Sequence, residues 1–114
     1  MIHNYTKEFK VATIELLLKI VQNKESDKQQ QYYKLFQKEL NILPNEFEDI
    51  FMMLSVDEID SDKGIVIVMK ELKNSRHAIM HFLMMLNRCI ILEGCDMESY
   101  KRFEQIRDVF LAKL

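Results

Sequence analysis

The scarcity of glycine and proline is the feature that most constrains how this chain folds: two glycines and one proline occur in 114 residues. Sandwiches and barrels of strands need many tight turns, which are built largely from Gly and Pro. Long helices joined by short polar loops need few of either. Hydrophobic residues make up 48% of the chain, enough to form a core without cross-links. The sequence therefore predicts an all-α fold in one domain over residues 1–114.

Apolar residues recur at intervals of three and four, which is the period of an amphipathic helix. The stripe on the first predicted helix is wide, which indicates neighbours on more than one side. The fifth is apolar nearly all round, which is typical of a central, buried helix. The order of apolar helix, polar turn and amphipathic helix occurs twice, so we predict two helical hairpins packed together. The pattern predicts about six helices, over residues 5–23, 27–40, 44–55, 62–72, 76–92 and 97–114.

The stretch DEIDSDKGIVIVMKEL, residues 57–72, holds four acidic residues in its first six, which suggests a calcium loop. In an EF-hand loop that begins at Asp60, glycine should occupy the sixth position, but Gly64 is the fifth. The run after Gly64 fits a strand by propensity. Its apolar residues also follow a helical stripe, and no partner strand occurs elsewhere in the sequence. We therefore predict a helix capped by Ser61 or Asp62, and we keep Asp60 and Asp62 as a looser divalent-cation site.

His77 and His81 form the other candidate metal site, because residues four apart share one face of a helix. No acidic residue lies between them, so the His-Glu-x-x-His pattern of a metalloprotease is absent. A third ligand would have to come from elsewhere, such as His3. The alternative is a pair of ordinary residues near a helix start, one exposed and one packed.

Acidic residues are concentrated in residues 39–62, which hold eight acids and no Lys or Arg, although the net charge of the chain is only −2. Such a segment steers a basic protein partner, and the alternative is a solvated surface. The slight negative charge argues against nucleic-acid binding. The predicted partner-binding residues are Glu46, Asp49, Asp57, Glu58, Asp60 and Asp62.

The eight methionines are either core filler or an exposed binding surface. If Met52, Met53, Met84 and Met85 are exposed, they form a possible homodimer face. The most apolar run, AIMHFLMMLNRCIIL, is too short and too polar to span a membrane, and the start of the chain lacks the apolar segment of a signal peptide.

The two cysteines, Cys89 and Cys95, would lie roughly 9 Å apart along a helix, which is too far for a disulfide. Reduced cysteines favour a cytoplasmic protein. No phosphate-binding loop, nucleophile elbow or Cys-x-x-Cys pair occurs, so we do not expect an enzyme.

The stretches LLLKIVQNKES and MMLNRCIILEGCD each end a long apolar helix in a polar turn, and LNILPNEFEDIF enters a helix at its proline. This layout resembles the TerB-like family, a small all-helical domain named for a bacterial tellurite-resistance protein, over about residues 12–110. The family's Asp-Gly turn pair aligns with Glu93 and Gly94 at the second turn. At the first turn it aligns with Asn23 and Lys24, so an acid is missing there.

The resemblance implies a stress-associated cytoplasmic module whose acidic surface clusters bind cations or basic partners. It adds the turn residues Glu93 and Asp96 to the candidate metal ligands. We therefore expect a non-enzymatic protein that acts through protein–protein interaction, with no cofactor beyond a possible divalent cation. The alternative is a divalent-metal-binding protein that uses the acidic turns or His77 and His81.

Overall fold

A computed structural model describes residues 5–21, 42–53, 60–92 and 97–114 of the chain. Within these ranges the secondary structure is helical and no strand occurs, so the all-α prediction is confirmed. The helix predicted over residues 27–40 lies outside the described residues, and with it most of the first predicted hairpin. The described helices are α1 Lys7–Val21, α2 Pro44–Met53, α3 Ser61–Glu71, α4 Arg76–Leu92 and α5 Met97–Ala112.

The helix at the centre of the fold is α1. From Phe9 to Ile20 every residue is buried except Glu15, which is half-buried, and Lys19, which is exposed. The side chains of α1 reach all four other described helices. The prediction that the first helix has neighbours on more than one side is therefore confirmed.

The predicted second hairpin is present as α4 and α5. Phe82, in the first half of α4, and Phe110, near the end of α5, have ring centroids 5.7 Å apart. Because only four residues connect Leu92 to Met97, this contact requires the two helices to run antiparallel. The expectation that this apolar helix is the central one is wrong, because α4 leaves Met80, Met84 and Ile91 exposed. Its apolar residues divide between the core and the protein surface.

α1 and α3 lie close together at Gly64, which is buried in the first turn of α3. A Cβ at this position would lie 3.4 Å from Leu16 Cγ and 3.8 Å from the carbonyl oxygen of Ala12. At the other end of the pair, the backbone N–H of Thr6 donates a hydrogen bond to Glu71 Oε1 at 2.8 Å. The start of α3 thus lies beside the middle of α1, and its end beside the start of α1, so the two helices are antiparallel.

The N-cap of α3 is Asp60, whose backbone is extended with φ −93° and ψ 101°. Its Oδ1 accepts hydrogen bonds from the backbone N–H groups of Asp62 at 3.1 Å and Lys63 at 3.3 Å. The predicted cap at Ser61 or Asp62 is therefore wrong by one or two residues. Asp60, Ser61 and Asp62 all have side chains that are suited to capping, so residue type alone does not select among them. The helix prediction for this stretch is confirmed.

The turn from α3 into α4 is a Schellman motif. The N–H of Asn74 donates to the carbonyl of Met69 at 3.0 Å, and the N–H of Lys73 donates to the carbonyl of Lys70 at 3.1 Å. Lys73 and Asn74 both have positive φ, at 55° and 56°. Ser75 then caps α4, because its Oγ accepts a hydrogen bond from the backbone N–H of Ala78 at 3.3 Å. These bonds fix the direction in which α4 leaves α3.

The last turn of α1 is capped by a side chain of α5. Arg102 Nε donates to the carbonyl oxygen of Ile20 at 2.6 Å, and Nη2 donates to Ser99 Oγ at 3.2 Å. The last carbonyls of a helix have no partner within the helix, and a cation there also interacts favourably with the helix dipole. Arg102 therefore joins the end of the central helix to α5.

Replacing Gly64 by Ala should raise the free energy of unfolding by about 0.5–1 kcal/mol, because the new Cβ makes ordinary van der Waals contact and Ala loses less backbone entropy. Gly64→Leu overpacks the same contact and should lower it by about 1–3 kcal/mol. Urea unfolding followed by circular dichroism measures both. A clear loss of stability in the alanine variant would contradict the spacing of α1 and α3 described above.

Replacing Arg102 by Met should lower the free energy of unfolding by about 1.5–3 kcal/mol, because a charge-assisted hydrogen bond is lost and a helix carbonyl is left without its donor. Arg107→Met on the same helix is the matched control. Within the described residues, Arg107 forms surface ion pairs with Glu104 at 3.7 Å and Asp108 at 3.1 Å, and pairs of this kind contribute less than about 1 kcal/mol. Equal losses in the two variants would show that the cap on α1 contributes nothing beyond a surface charge.

Candidate functional site

The two acidic residues of α2 that were predicted to bind a partner contact lysines of α1. Glu46 Oε2 lies 2.7 Å from Lys10 Nζ, and these side chains are 21% and 5% exposed. Asp49 Oδ2 lies 3.1 Å from Lys7 Nζ in an exposed pair. Both acids therefore hold α2 on α1, and Glu46 does so in a largely buried setting where a charge needs its partner. Their binding to another protein stays a prediction.

The acidic residues at the start of α3 are exposed. Asp60 uses one carboxylate oxygen to cap the helix, and Asp62 follows in the first turn, where the helix dipole favours an acid. The other two predicted partner-binding residues, Asp57 and Glu58, lie outside the described residues. A change at Asp60 would affect helix stability as well as surface charge, which matters for the choice of variants below.

The candidate metal ligands are not gathered into one site by the described residues. In residues 5–21, 42–53, 60–92 and 97–114, no group of three His, Cys, Asp or Glu side chains is placed to hold a metal ion. An EF-hand loop beginning at Asp60 is excluded, because the residues it would need as a loop form α3 from Ser61 onward. The metal-ligand prediction for Asp60 and Asp62 otherwise stays a prediction.

His77 and His81 are both exposed on α4, so the alternative of one exposed and one packed histidine is wrong. Their role as metal ligands stays a prediction. The turn residues Glu93 and Asp96 lie outside the described residues. Among the described helices, none combines the length and the apolar character that a membrane span requires.

The methionines that were predicted to form a homodimer face are divided between two helices. Met52 is 84% exposed and Met53 is 47% exposed on α2, and Met84 is 63% exposed on α4. Met85 is buried in the core, so its place in an exposed face is wrong. A spacing of one residue turns the side chain through about 100° on a helix, which separates Met84 from Met85.

A groove of about 590 Å³ lies between α1, the end of α2 and the start of α3. Its apolar lining is largely buried, and its charged lining is exposed apart from one half-buried glutamate. The buried and half-buried apolar residues form the floor, and the charged residues form the rim. We call this the acidic groove. Its floor is formed by Val11, Ala12, Gly64 and Ile67, its rim by Glu8, Glu15, Asp60 and Lys63, and the exposed Met53 also lines it.

Among the described residues, the rim of the acidic groove carries three carboxylates, from Glu8, Glu15 and Asp60, and one ammonium group, from Lys63. Glu8 and Glu15 are seven residues apart, which places them on one face of α1 and separates their Cα atoms by roughly 10.5 Å. Asp60 adds a third carboxylate from α3. An apolar floor with charged groups at fixed spacing provides both affinity and orientation for a ligand.

Two of these residues, Glu8 and Glu15, were not among the predicted site residues. Each is a single acid within the amphipathic pattern of α1, and neither belongs to the acidic segment of residues 39–62. The only signal in the sequence is that both lie on the polar edge of a helix whose remaining sides are apolar. α3 packs beside that edge of α1 at Gly64, and the groove forms between the two helices.

Comparison of the chain with family models, with curated proteins and with solved structures finds no match. The resemblance to the TerB-like family therefore stays a prediction from the stretches that carry it.

Replacing Glu46 by Gln should lower the free energy of unfolding by about 1.5–3 kcal/mol, because Lys10 then keeps its charge in a buried position without the carboxylate. Asp49→Asn removes the same charge from the same helix in an exposed pair and should cost less than about 1 kcal/mol. Chemical denaturation of the two variants measures the difference. A loss in the Asp49 variant as large as that in the Glu46 variant would contradict the structural role of the Glu46–Lys10 pair.

Proposed function

We propose that this protein is a non-enzymatic interaction module that binds a basic segment of another protein in the acidic groove. The observation that supports the proposal is the combination of an apolar floor with carboxylates on both sides, Glu8 and Glu15 from α1 and Asp60 from α3. Asp60 and Asp62 belong to the partner-binding residues predicted from the sequence. Glu8 and Glu15 extend that acidic surface onto α1.

The spacing of the carboxylates indicates the kind of segment that fits. Glu8 and Glu15 stand roughly 10.5 Å apart along α1. In a peptide with polyproline II conformation, which has three residues per turn, cations three residues apart lie on one face and are separated by about 9 Å. Such a peptide sets an Arg or Lys against each glutamate and leaves an apolar side chain between them over Val11 and Ile67. Electrostatic complementarity of this kind contributes mainly to association rate and specificity, and the apolar contact contributes affinity.

We further propose that the protein acts in the cytoplasm in a stress response of the kind that the TerB-like resemblance implies. The support is the resemblance over about residues 12–110, together with the all-α fold. A gene position beside tellurite-resistance or other stress genes would strengthen this part of the proposal. The peptide-binding experiment below tests the groove without reference to the family.

A fluorescein-labelled peptide containing Arg-Leu-Ala-Arg should bind the full chain, and its anisotropy should rise on titration. The double variant Glu8→Gln with Glu15→Gln should weaken binding by about tenfold, since 1.4 kcal/mol corresponds to a factor of ten. Binding to the unaltered protein should weaken as salt rises toward about 0.3 M, because exposed charges are screened. Asp60 is left unchanged, because removal of its cap would destabilise α3 by about 1 kcal/mol.

The matched control is Glu98→Gln with Glu104→Gln on α5, which changes the net charge equally at acids outside the groove. Their ion pairs, with Arg102 at 4.0 Å and Arg107 at 3.7 Å, are surface pairs of small energetic effect. A second control peptide carries Glu in place of both Arg. Equal weakening by the two double variants, or equal binding of the acidic peptide, would contradict the proposal.

A further inference from the structure

A second surface, on α4, has the opposite charge to the acidic groove. None of the 17 residues of α4 is acidic, whereas Arg76, His77, His81 and Arg88 are basic. The first turn of a helix ordinarily favours acids because of its dipole, yet α4 begins with Arg76 and His77. All four basic side chains are exposed. The two arginines, Arg76 and Arg88, therefore give the exposed side of α4 a positive charge.

An apolar stripe runs along the same side of the helix. Met80 is 43% exposed, Met84 63% and Ile91 58%, and their spacing of four and seven residues places them in one line. The line is roughly 16 Å long at 1.5 Å per residue. Single exposed apolar residues are ordinary on a protein surface. A line of three at the spacing of a coiled-coil seam is typical of a helix that packs against another helix.

The basic residues border this stripe along one edge. At about 100° per residue, His77, Arg88 and His81 lie next to Met84, on the side away from Met80. A helix laid on the stripe would therefore have one of its own edges against these three side chains. Interface residues of this type determine which partner is accepted, because like charges in that position repel.

We propose that this face of α4, formed by the stripe Met80, Met84 and Ile91 and the flank His77, His81 and Arg88, binds an acidic amphipathic helix of a partner protein. The apolar side of that helix lies on the stripe, and its Asp or Glu side chains face the basic flank. The inference is independent of the acidic groove, which uses other helices and takes a ligand of opposite charge.

A second copy of this chain fits the face less well. Because α4 carries no acid, pairing of α4 with α4 sets basic side chains against one another. A stripe roughly 16 Å long and one helix wide, about 10 Å, also falls far below the ~800 Å² that each partner contributes to a stable dimer. The face is suited to a single helix from another protein.

The probe is a fluorescein-labelled helical peptide of about 18 residues with Leu at the seam positions, Glu along the edges and Ala elsewhere. Its anisotropy is measured on titration with the full chain, beside a control peptide with Lys in place of Glu. We expect the Glu peptide to bind at least tenfold more tightly than the Lys peptide. Met84→Gln should weaken binding of the Glu peptide by about tenfold, and Arg88→Glu should reverse the preference between the two peptides.

The matched controls change exposed side chains on other helices. Val66→Gln on α3 removes an exposed apolar side chain, and Lys101→Glu on α5 reverses an exposed charge, and neither should alter binding by more than about twofold. Equal loss in Val66→Gln and Met84→Gln, equal affinity for the two peptides, or no binding of the Glu peptide at about 1 mM would overturn the proposal. Light scattering that shows a dimer dissociated by Met84→Gln would overturn it in favour of self-association.

A measurement on the unaltered protein keeps the proposal testable if a variant fails to fold. Amide chemical shifts recorded with the Glu peptide should change along α4 and not around Glu8 and Glu15. Shifts around the acidic groove instead would overturn the assignment to α4. The acidic groove is tested with a cationic peptide, so failure of one surface leaves the result for the other unaffected.

Discussion

The burial of α1 on nearly every side is the constraint on which the rest of the fold depends. When a helix is buried in this way, its polar groups also lose their contact with water. Each of them then needs a hydrogen-bond or ion-pair partner inside the protein. The Thr13 hydroxyl donates to the carbonyl of Phe9 at 2.8 Å. Lys10 meets Glu46 of α2, and the carbonyl of Ile20 accepts from Arg102 of α5. The neighbouring helices thus supply both apolar contacts and the polar partners that make the burial of α1 tolerable.

The same constraint separates structural acids from acids that can serve a ligand. Glu46 comes from the acidic segment of the sequence, but its carboxylate meets a lysine that is almost completely buried. Glu8 comes from α1 itself and lines the acidic groove together with Gly64 of α3. Among the described residues, position relative to the central helix, and not the density of acids along the chain, decides which carboxylates line this groove.

Much of the helical architecture was predictable, because periodicity and capping residues are local signals. Pro44 and Ser75 mark helix starts in the sequence and in the structure. The cap of α3 was misplaced because Asp60, Ser61 and Asp62 are all competent caps, and only the backbone conformation selects among them. The acidic groove and the Arg102 cap were not predictable, because both join residues distant in sequence. The central helix was misidentified because the apolar residues of α4 have the same pattern in the sequence whether they face the core or the surface.

The basic residues around the start of α4 have two different explanations. Lys70 and Lys73 lie in and just after the last turn of α3, where a cation is stabilised by the helix dipole by about 0.3–1 kcal/mol. For Lys73 this gain offsets much of the roughly 1–2 kcal/mol cost of a left-handed backbone. The dipole effect falls off within a turn, so it does not extend to Arg88, twelve residues into α4. Arg88 borders the exposed Met84. It is therefore the arginine that lies beside the apolar stripe of the proposed helix-binding face.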